Sequence, residues 1–522
     1  KKLVALGLVE TEEREAERDP FFAEPLARDV APELTEAQVA ATEAIAKAIR
    51  AHESTGFLLF GITGSGKTEV YLSAIAACLA EGRGALVMVP EIALTPQLVA
   101  RFRARFGDGL AVLHSALGDG DRHAMWRRLR EGGVQVAIGA RSALFAPVPN
   151  LGLIIVDEEH DGSFKQEEGV RYHARDMALL RAHRAGAVSV LGSATPSLES
   201  VQLARTGKLV ELALPDRARA EARLPQVEIV NLRHVGPGPS GDPLLSLPLH
   251  RALEKTLTAG EQSIVFLNRR GFAPSVVCHA CGAIETCKAC SVALTFHRRG
   301  RLVDGSDLFA RAARDGWLVC HYCDFSTPLP EGCTACGAPA LVLEGLGTER
   351  LETNLRAAFP TARIERLDRD VADARKAQAI LGRMHAREID ILVGTQMVTK
   401  GHDLPNVTLV GVVNADSALS LPDFRASERG FQLLVQVAGR AGRHEKPGRV
   451  IVQTRQPDHT AIQCAAKHDV RDFLKRELAD RREVGYPPFS RLVLVRVEAM
   501  DEDDARDAAQ RIADETRSTK AV

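Results

Sequence analysis

The sequence predicts an α/β protein built as two parallel-sheet lobes, with a double four-cysteine zinc-binding insertion in the second lobe. Three observations predict it. Short apolar runs alternate with amphipathic stretches in two successive sets along the 522 residues, the pattern of parallel strands covered by helices. A glycine-rich run, GITGSGKTEV at Gly61–Val70, joins a strand of the first set to a helix. Four Cys-x-x-Cys pairs fall between Cys278 and Cys336, after the first clear strand of the second set.

At this length one core does not suffice, and several domains are expected. Hydrophobic content of 45% and charged content of 26% describe an ordinary globular composition. The net charge is −1, so affinity for nucleic acid must come from local basic surface. No apolar stretch approaches the length of a membrane span, and no membrane partner is expected. The chain starts at Lys1, and KKLVALGLVE reads as a helix end followed by a strand. A fragment is therefore expected, and missing targeting signals decide little.

The first set begins at Phe57–Phe60. The turn after it matches G-x-x-x-x-G-K-[ST] through Gly61, Ile62, Thr63, Gly64, Ser65, Gly66, Lys67 and Thr68. Such a turn wraps backbone N–H groups around phosphates, and Lys67 and the helix dipole add positive charge, so a nucleoside triphosphate site is expected. Strands Ala85–Val89, Leu110–His114, Gln135–Gly139, Leu153–Val156 and Val188–Leu191 follow, with helical stretches Thr95–Phe106 and Arg122–Glu131 among them. LIIVDEEH at Leu153–His160 places Asp157 at a strand end. There it holds the water shell of Mg²⁺ bound by the Thr68 hydroxyl, while Glu158 polarises an attacking water. His160 can couple the γ-phosphate to the rest of the lobe. In LGSATPS at Leu191–Ser197, Ser193 and Thr195 can relay the nucleotide state to neighbouring loops.

The Pro/Gly-rich stretch Val235–Pro243 breaks the alternation. The second set contains Ser263–Leu267, Ile364–Leu367, Ile391–Val393, Leu409–Val413 and Val450–Gln453. In VGTQMVTKGHDLPNV at Val393–Val407, Thr395, Gln396 and Lys400 suit phosphate contacts. QVAGRAGR at Gln436–Arg443 sets Arg440 and Arg443 three residues apart, on one face of a helix. An arginine donated across a cleft stabilises charge on a transferring phosphate. A strand at Leu492–Val497 and a helix at Asp501–Arg517 are expected to open a further domain.

Eight of the ten cysteines form the pairs Cys278/Cys281, Cys287/Cys290, Cys320/Cys323 and Cys333/Cys336, separated by five, twenty-nine and nine residues. Eight thiolates fit two closed tetrahedral zinc sites, and four pairs are too many for a redox dithiol. Spacing leaves the pairing open. Cys78 and Cys464 read as core.

These residues resemble superfamily-two helicases, whose two RecA-like lobes sandwich ATP. Within them the chain is similar to the primosomal replication-restart helicases. The resemblance runs from about Leu34 to Val497 and is carried, in order, by GITGSGKTEVY, VPEIALTPQ at Val89–Gln97, RSALFAP at Arg141–Pro147, DEEHDGSFKQ at Asp157–Gln166, RYHARD at Arg171–Asp176 and GSATPSLES at Gly192–Ser200. FLNRRGFAP at Phe266–Pro274, GTQMVTKGHDLP at Gly394–Pro405, DFRASER at Asp423–Arg429 and QVAGRAGR complete it. It implies that Gln38 reads adenine. It implies that Phe164, Lys165, Arg171, Tyr172 and His173 belong to an aromatic-rich loop coupling single-strand binding to hydrolysis. Their polar setting, SFKQEEGVRYH, agrees with an exposed loop in which bases stack on rings. It also implies nested zinc ligation, with Cys278, Cys281, Cys333 and Cys336 on one ion and Cys287, Cys290, Cys320 and Cys323 on the other.

The implied activity is ATP-dependent, 3′-to-5′ DNA unwinding at stalled or abandoned forks that initiates primosome assembly. The implied partners are single-stranded and forked DNA, primosomal proteins and single-stranded-DNA-binding protein, with a monomer in the bacterial cytoplasm expected. The implied ligands are ATP, Mg²⁺ and two Zn²⁺. The expected divisions are a winged-helix remnant at 1–30, lobe one at 31–214, lobe two at 215–277 and 338–484, the zinc module at 278–337, and a truncated carboxy-terminal domain from 485 to 522. An insertion at Asp304–Val319 is expected to add a helix with Leu308, Phe309 and Ala312 on one face. The competing readings are another zinc-bearing DNA or RNA translocase, and an assembly scaffold with a degenerate ATPase.

Overall fold

The structure is a computed structural model that describes residues 28–90, 96–107, 109–114, 118–218, 224–241, 244–267, 275–298, 316–323, 325–344, 348–368, 374–395, 404, 406–442 and 447–518. The chain divides into two compact units, Lys1–Leu474 and Lys475–Val522. Gln396, Lys400, Arg443, residues 304–315 of the expected 304–319 insertion and the first 27 residues lie outside the described residues.

Lobe one is a seven-stranded parallel sheet. Its strands are β1 (Gly56–Gly61), β2 (Gly84–Met88), β3 (Leu110–Leu113), β4 (Val136–Gly139), β5 (Leu151–Asp157), β6 (Val188–Ser193) and β7 (Val210–Leu214), in the spatial order β3-β4-β2-β5-β6-β1-β7. All but β7 are almost wholly buried, as expected of parallel strands covered on both faces. Helices α1 (Glu36–Arg50), α2 (Lys67–Ala80), α3 (Pro96–Phe106), α4 (Asp119–Arg130), α5 (Ala174–Arg184) and α6 (Leu198–Arg205) alternate with them. Ile45, Ile49, Tyr71, Ile75 and Phe102 pack onto β1, β2 and β5 in one core, and Cys78 is buried in it. α1 starts with a capping box. Thr35 Oγ1 accepts from Gln38 N at 3.3 Å, and Gln38 Oε1 accepts from Thr35 N at 2.9 Å.

Lobe two is a six-stranded parallel sheet. Its strands β8 (Gln226–Asn231), β9 (Gln262–Phe266), β15 (Ile364–Leu367), β16 (Ile391–Gly394), β17 (Val407–Val412) and β18 (Arg449–Thr454) lie in the order β15-β16-β9-β17-β18-β8. Its helices include α7 (Leu247–Thr258), α8 (Thr348–Ala358), α9 (Ala374–His385), α10 (Asp416–Leu419), α11 (Ala426–Ala438) and α12 (Thr460–Ala466). Between β9 and α8 the chain makes a separate antiparallel sheet of β10 (Ser275–Cys278), β11 (Thr295–Arg298), β12 (Gly316–Val319), β13 (Ser326–Pro328) and β14 (Leu341–Glu344), in the order β13-β12-β11-β10-β14. This is the cysteine-bearing module. Its core is small: Val276, Val292, Leu294, Phe296 and Leu318 with Cys287 and Cys320.

The smaller unit differs from expectation. Leu492–Val497 forms no strand: it has no ladder partner among the described residues, and Leu492–Val495 are exposed. A continuous β-branched and apolar run marks a segment that could pair, and among the described residues no strand covers it. The helix expected after it is present at Glu502–Ser518.

Candidate functional site

The strand β1 ends in a loop whose shape depends on Gly64 and Gly66, with φ of 83° and 77°, where a side chain is disfavoured. Space also forbids one. A Cβ on Gly66 would lie 2.3 Å from Gln38 Nε2. Lys67 Nζ donates to Gly61 O at 3.0 Å, at the start of α2. Gln38 is almost fully buried, and its Nε2 donates to Ser65 O at 2.8 Å. The carboxamide therefore clasps the loop, and reading a base would require it to shift. The loop after β7, which sequence reasoning missed, closes the other side. Ala218 N donates to Gly64 O at 3.0 Å, and the Arg217 side chain passes beside Gly64.

Asp157 stands at the end of β5, hydrogen-bonded by Tyr71 Oη at 2.8 Å. Burial first, and the Glu158 carboxylate second, push its carboxyl up to about 6 against the pull of Lys67. Such a group gains most from a nearby cation. Glu158 adopts a left-handed backbone, φ 48°, a strained turn of the kind that clusters at functional sites. Glu159 points inward and is fully buried. It accepts from Ser197 N at 2.7 Å, Ser197 Oγ at 2.9 Å, Ser200 Oγ at 2.7 Å and Arg175 at 3.2 Å. Arg175 also donates to Ser197 Oγ at 2.6 Å. DEEH, RYHARD and GSATPSLES thus share one buried charge. The His160 side chain, also buried, sits 2.7 Å from Ser193 Oγ and 2.7 Å from Gln436 Nε2.

That last contact crosses to lobe two. At 100° per residue, Arg425, Glu428, Gln432, Gln436 and Gly439 occupy an arc of about 80° along α11 and its caps. Each meets lobe one. Arg425 pairs with Glu199 at 2.7 Å, and Glu428 Oε1 accepts from Leu198 N, in the first turn of α6, at 3.0 Å. Gln432 Nε2 donates to Thr195 O at 3.3 Å. Gly439 is so close to the phosphate loop that a Cβ there would lie 2.9 Å from Thr63 Cγ2. Burial alone would raise the Glu199 carboxyl, yet Arg425 and Arg175 together hold it down at about 2.

One expectation is corrected here. Arg440 is not on a helix face, because α11 ends at Ala438 with Gly439 as its cap, and Arg443 lies outside the described residues. Arg440 lies in the turn beyond, immediately after the glycine that touches the phosphate loop. The missed signal is the set of polar residues Glu428, Gln432 and Gln436, four apart in a helix whose other residues from Gly430 to Ala438 are apolar or glycine.

The loop from Asp161 to His173 is a short hairpin. Gln166 N donates to Tyr172 O at 2.8 Å, and Lys165 bridges His173. Phe164 is wholly buried, so the polar neighbours misled: its ring is an anchor, not a stacking surface. Lys165 and Arg171 are exposed. Burial, then the Arg175 charge, lowers His173 to about 4, leaving it uncharged near neutrality. The exposed ring is Phe145, 52% accessible, edge-on to Tyr172 with centroids 5.4 Å apart. Arg141 donates to Ser163 O and Lys165 O, and Arg181 to Leu144 O and Ala146 O, fixing both halves of this pair. Thr395 stands half-buried after β16.

The cysteines gather in two groups, Cys278, Cys281, Cys333 and Cys336, and Cys287, Cys290, Cys320 and Cys323, with the sulfurs of each group within 4.8 Å of one another. Sulfur pairs lie at 3.6–3.7 Å. A tetrahedral zinc with Zn–S near ~2.3 Å needs about 3.8 Å between sulfurs, so both sets fit the ion. Burial opposes the thiolate of Cys287, but N–H groups of Cys290 and Ala289 outweigh it and bring the thiol to about 7. The first group rests on lobe two. Arg233 donates to Cys281 O at 3.2 Å, and Gly282 lies against the Arg455 backbone.

Comparison with known proteins covers nearly the whole chain. Residues 35–204 match the DEAD/DEAH box helicase family, 347–445 the helicase conserved C-terminal domain, and 287–303 the PriA DNA helicase Cys-rich region (CRR) domain. Replication restart protein PriA of Bacillus subtilis (strain 168) is 43% identical over 98% of this chain and 62% of its own length. The PriA of Synechocystis sp. is 42% identical over 98% and 60%, and that of Treponema pallidum 43% over 87% and 66%. The chain thus spans less than two thirds of these relatives.

Two outcomes follow from the geometry. Glu159→Ala removes the buried partner of Arg175, leaving it the exposed Asp176 carboxylate at 2.8 Å, and should cost lobe one about 3–5 kcal/mol in a denaturant titration. A strong chelator should release two zinc ions per chain by metal analysis, and Cys287→Ser should retain about one. The module should then lose amide protection while β1–β7 keep theirs, because metal ligation supplies much of its folding energy.

Proposed function

The chain belongs to the PriA replication-restart helicase family, and from that premise we propose that it is an ATP-driven 3′-to-5′ DNA translocase acting at stalled or abandoned forks. The observation that carries the reading is the docking of α11 across the phosphate-loop lobe. Gln436 reaches His160 and Gly439 approaches Thr63, so Arg440 follows at the mouth of the loop.

In this reading Lys67 exchanges Gly61 O for the β- and γ-phosphates. Thr68 and Asp157 hold Mg²⁺, which supplies charge neutralisation at those phosphates. Glu158 orients the attacking water. Arg440, with Arg443, adds positive charge across the cleft as the lobes close. Gln38 releases the loop to meet adenine. The Phe145–Tyr172 pair stacks unpaired bases while Lys165, Arg171, Thr395 and Lys400 follow the phosphates. Hydrolysis then reopens the cleft and the strand advances. The two four-cysteine sites hold structural zinc, on a module that supports primosome assembly. Primosomal proteins and single-stranded-DNA-binding protein are the partners, and the protein works as a monomer in the bacterial cytoplasm. Among the described residues no helix is long and apolar enough to cross a membrane.

The test compares ATP hydrolysis with forked DNA, single-stranded RNA and plain duplex, together with unwinding of forks of defined polarity. Stimulation by RNA alone, or no turnover at all, would overturn the reading in favour of an RNA translocase or a scaffold. Lys67→Ala should abolish DNA-stimulated turnover. Arg440→Ala should lower kcat by about 10³-fold with a smaller change in ATP KM. Phe145→Ala should weaken single-strand binding by about 1–3 kcal/mol, read by fluorescence anisotropy, with folding intact. Phe164→Ala should instead remove about 3–5 kcal/mol of stability, because that ring is core.

A further inference from the structure

The segment leading into α11 has one end in each half of the protein. Phe424 belongs to lobe two by sequence, yet its ring packs against the core of the cysteine module, the cluster that includes Cys287 and Cys320. Tyr322 lies inside the knuckle Cys320-His321-Tyr322-Cys323. Its ring meets Phe424 edge-on, centroids 6.4 Å apart at 90°, and its Oη accepts from Phe424 N at 3.4 Å. The next residue faces the other way. The Arg425 guanidinium stacks 4.2 Å above the Phe424 ring and pairs with Glu199 of lobe one at 2.7 Å. The turn is fixed by Asp423, whose carboxylate accepts from Arg425 N at 2.9 Å and from Arg429 at 2.6 Å. Three residues on, Glu428 caps α6.

We propose that Phe424 is a positioning residue that makes docking of the two lobes depend on the second four-cysteine site, through Tyr322 on one side and Arg425 on the other. Ordering of that site by zinc fixes the knuckle, the knuckle fixes Phe424, and Phe424 sets Arg425 and Glu428 against the first turn of α6. The ring serves both as a wall of the module's core and as the platform for the guanidinium. A shift of the module therefore moves the lobe contact. Its consequence for turnover rests on the translocase reading above; the contact itself does not.

The experiment is hydrogen exchange of the chain, without nucleotide or DNA, at residues 197–200, with zinc content measured in parallel. The Leu198 amide gives its hydrogen to Glu428 across the interface. Phe424→Ala and Tyr322→Ala should speed exchange there about tenfold, the size of a lost helix cap. Phe424→Tyr should restore it. With DNA present, Phe424→Ala should lower kcat for ATP hydrolysis more than it raises KM, because the phosphate loop itself is untouched. Faster exchange after zinc removal also supports the linkage. Unchanged exchange at 197–200 in both alanine variants overturns it, whether or not zinc is retained. Absence of DNA-stimulated hydrolysis in the unsubstituted chain counts against the translocase reading and leaves the exchange result to judge the linkage alone.

Discussion

One face of one helix holds the arrangement together. Arg425, Glu428, Gln432, Gln436 and Gly439 form a stripe that a rigid rod presents to five different points of lobe one. A rod cannot adjust one contact without disturbing the others. Glu428 and Gln432 are buried, and each buried polar group left unsatisfied costs about 1–3 kcal/mol. Partial separation would strand several of them at once, whereas full separation returns them to water. Two discrete states, docked and apart, are favoured over a continuum. That is the property the proposed translocase needs.

The lobe-one side of the contact is stiff for a different reason. Glu159 gathers Ser197, Ser200 and Arg175 around one fully buried carboxylate. Such a charge adds little net stability relative to an apolar core, but it tolerates no loss of a partner. It lies between Glu158 and His160 in the chain. A displacement at Asp157 or Glu158 therefore reaches Ser197 through bonded neighbours and two hydrogen bonds, and Ser197 precedes the turn that Glu428 caps. The path from the phosphate side to α11 is made of contacts short enough to transmit a shift.

Much of the fold was legible because buried parallel strands write themselves as apolar runs: Ala85–Val89 and Leu153–Val156 come within a few residues of β2 and β5. The edge strands β7 and β8 were not, since their faces are partly solvated and their sequences carry no continuous run. The phosphate loop was legible because its glycines answer to positive φ. The cysteine pairs were legible as ligands, though not their grouping, which depends on how strands twenty-nine residues apart in spacing return. Phe164 misled because burial depends on what folds over a residue: it closes the short 3-10 turn Gly162–Phe164 with its ring inside while Gly162 and Lys165 on either side are exposed. Phe145 was overlooked because an exposed ring in an apolar-looking RSALFAP has no distinctive spacing. Arg440 was assigned to a helix face because helix ends are the least certain part of any sequence reading, and Gly439 there serves close approach as well as termination.

The place of the cysteine module is a consequence of topology. In a parallel sheet every strand delivers its next segment at the same edge. β9, β17 and β18 are adjacent in the sheet. The module leaves β9 at that edge, the Asp423–Phe424 turn follows β17, and Arg455 follows β18. The three are brought together before any side chain is chosen. A module with so few apolar residues then gains by sharing its neighbours' surface. It uses the Arg455 backbone under one knuckle and the Phe424 ring against the other. A module completed by a residue of its host cannot be a passive appendage: whatever fixes or loosens it acts on the segment from which α11 starts.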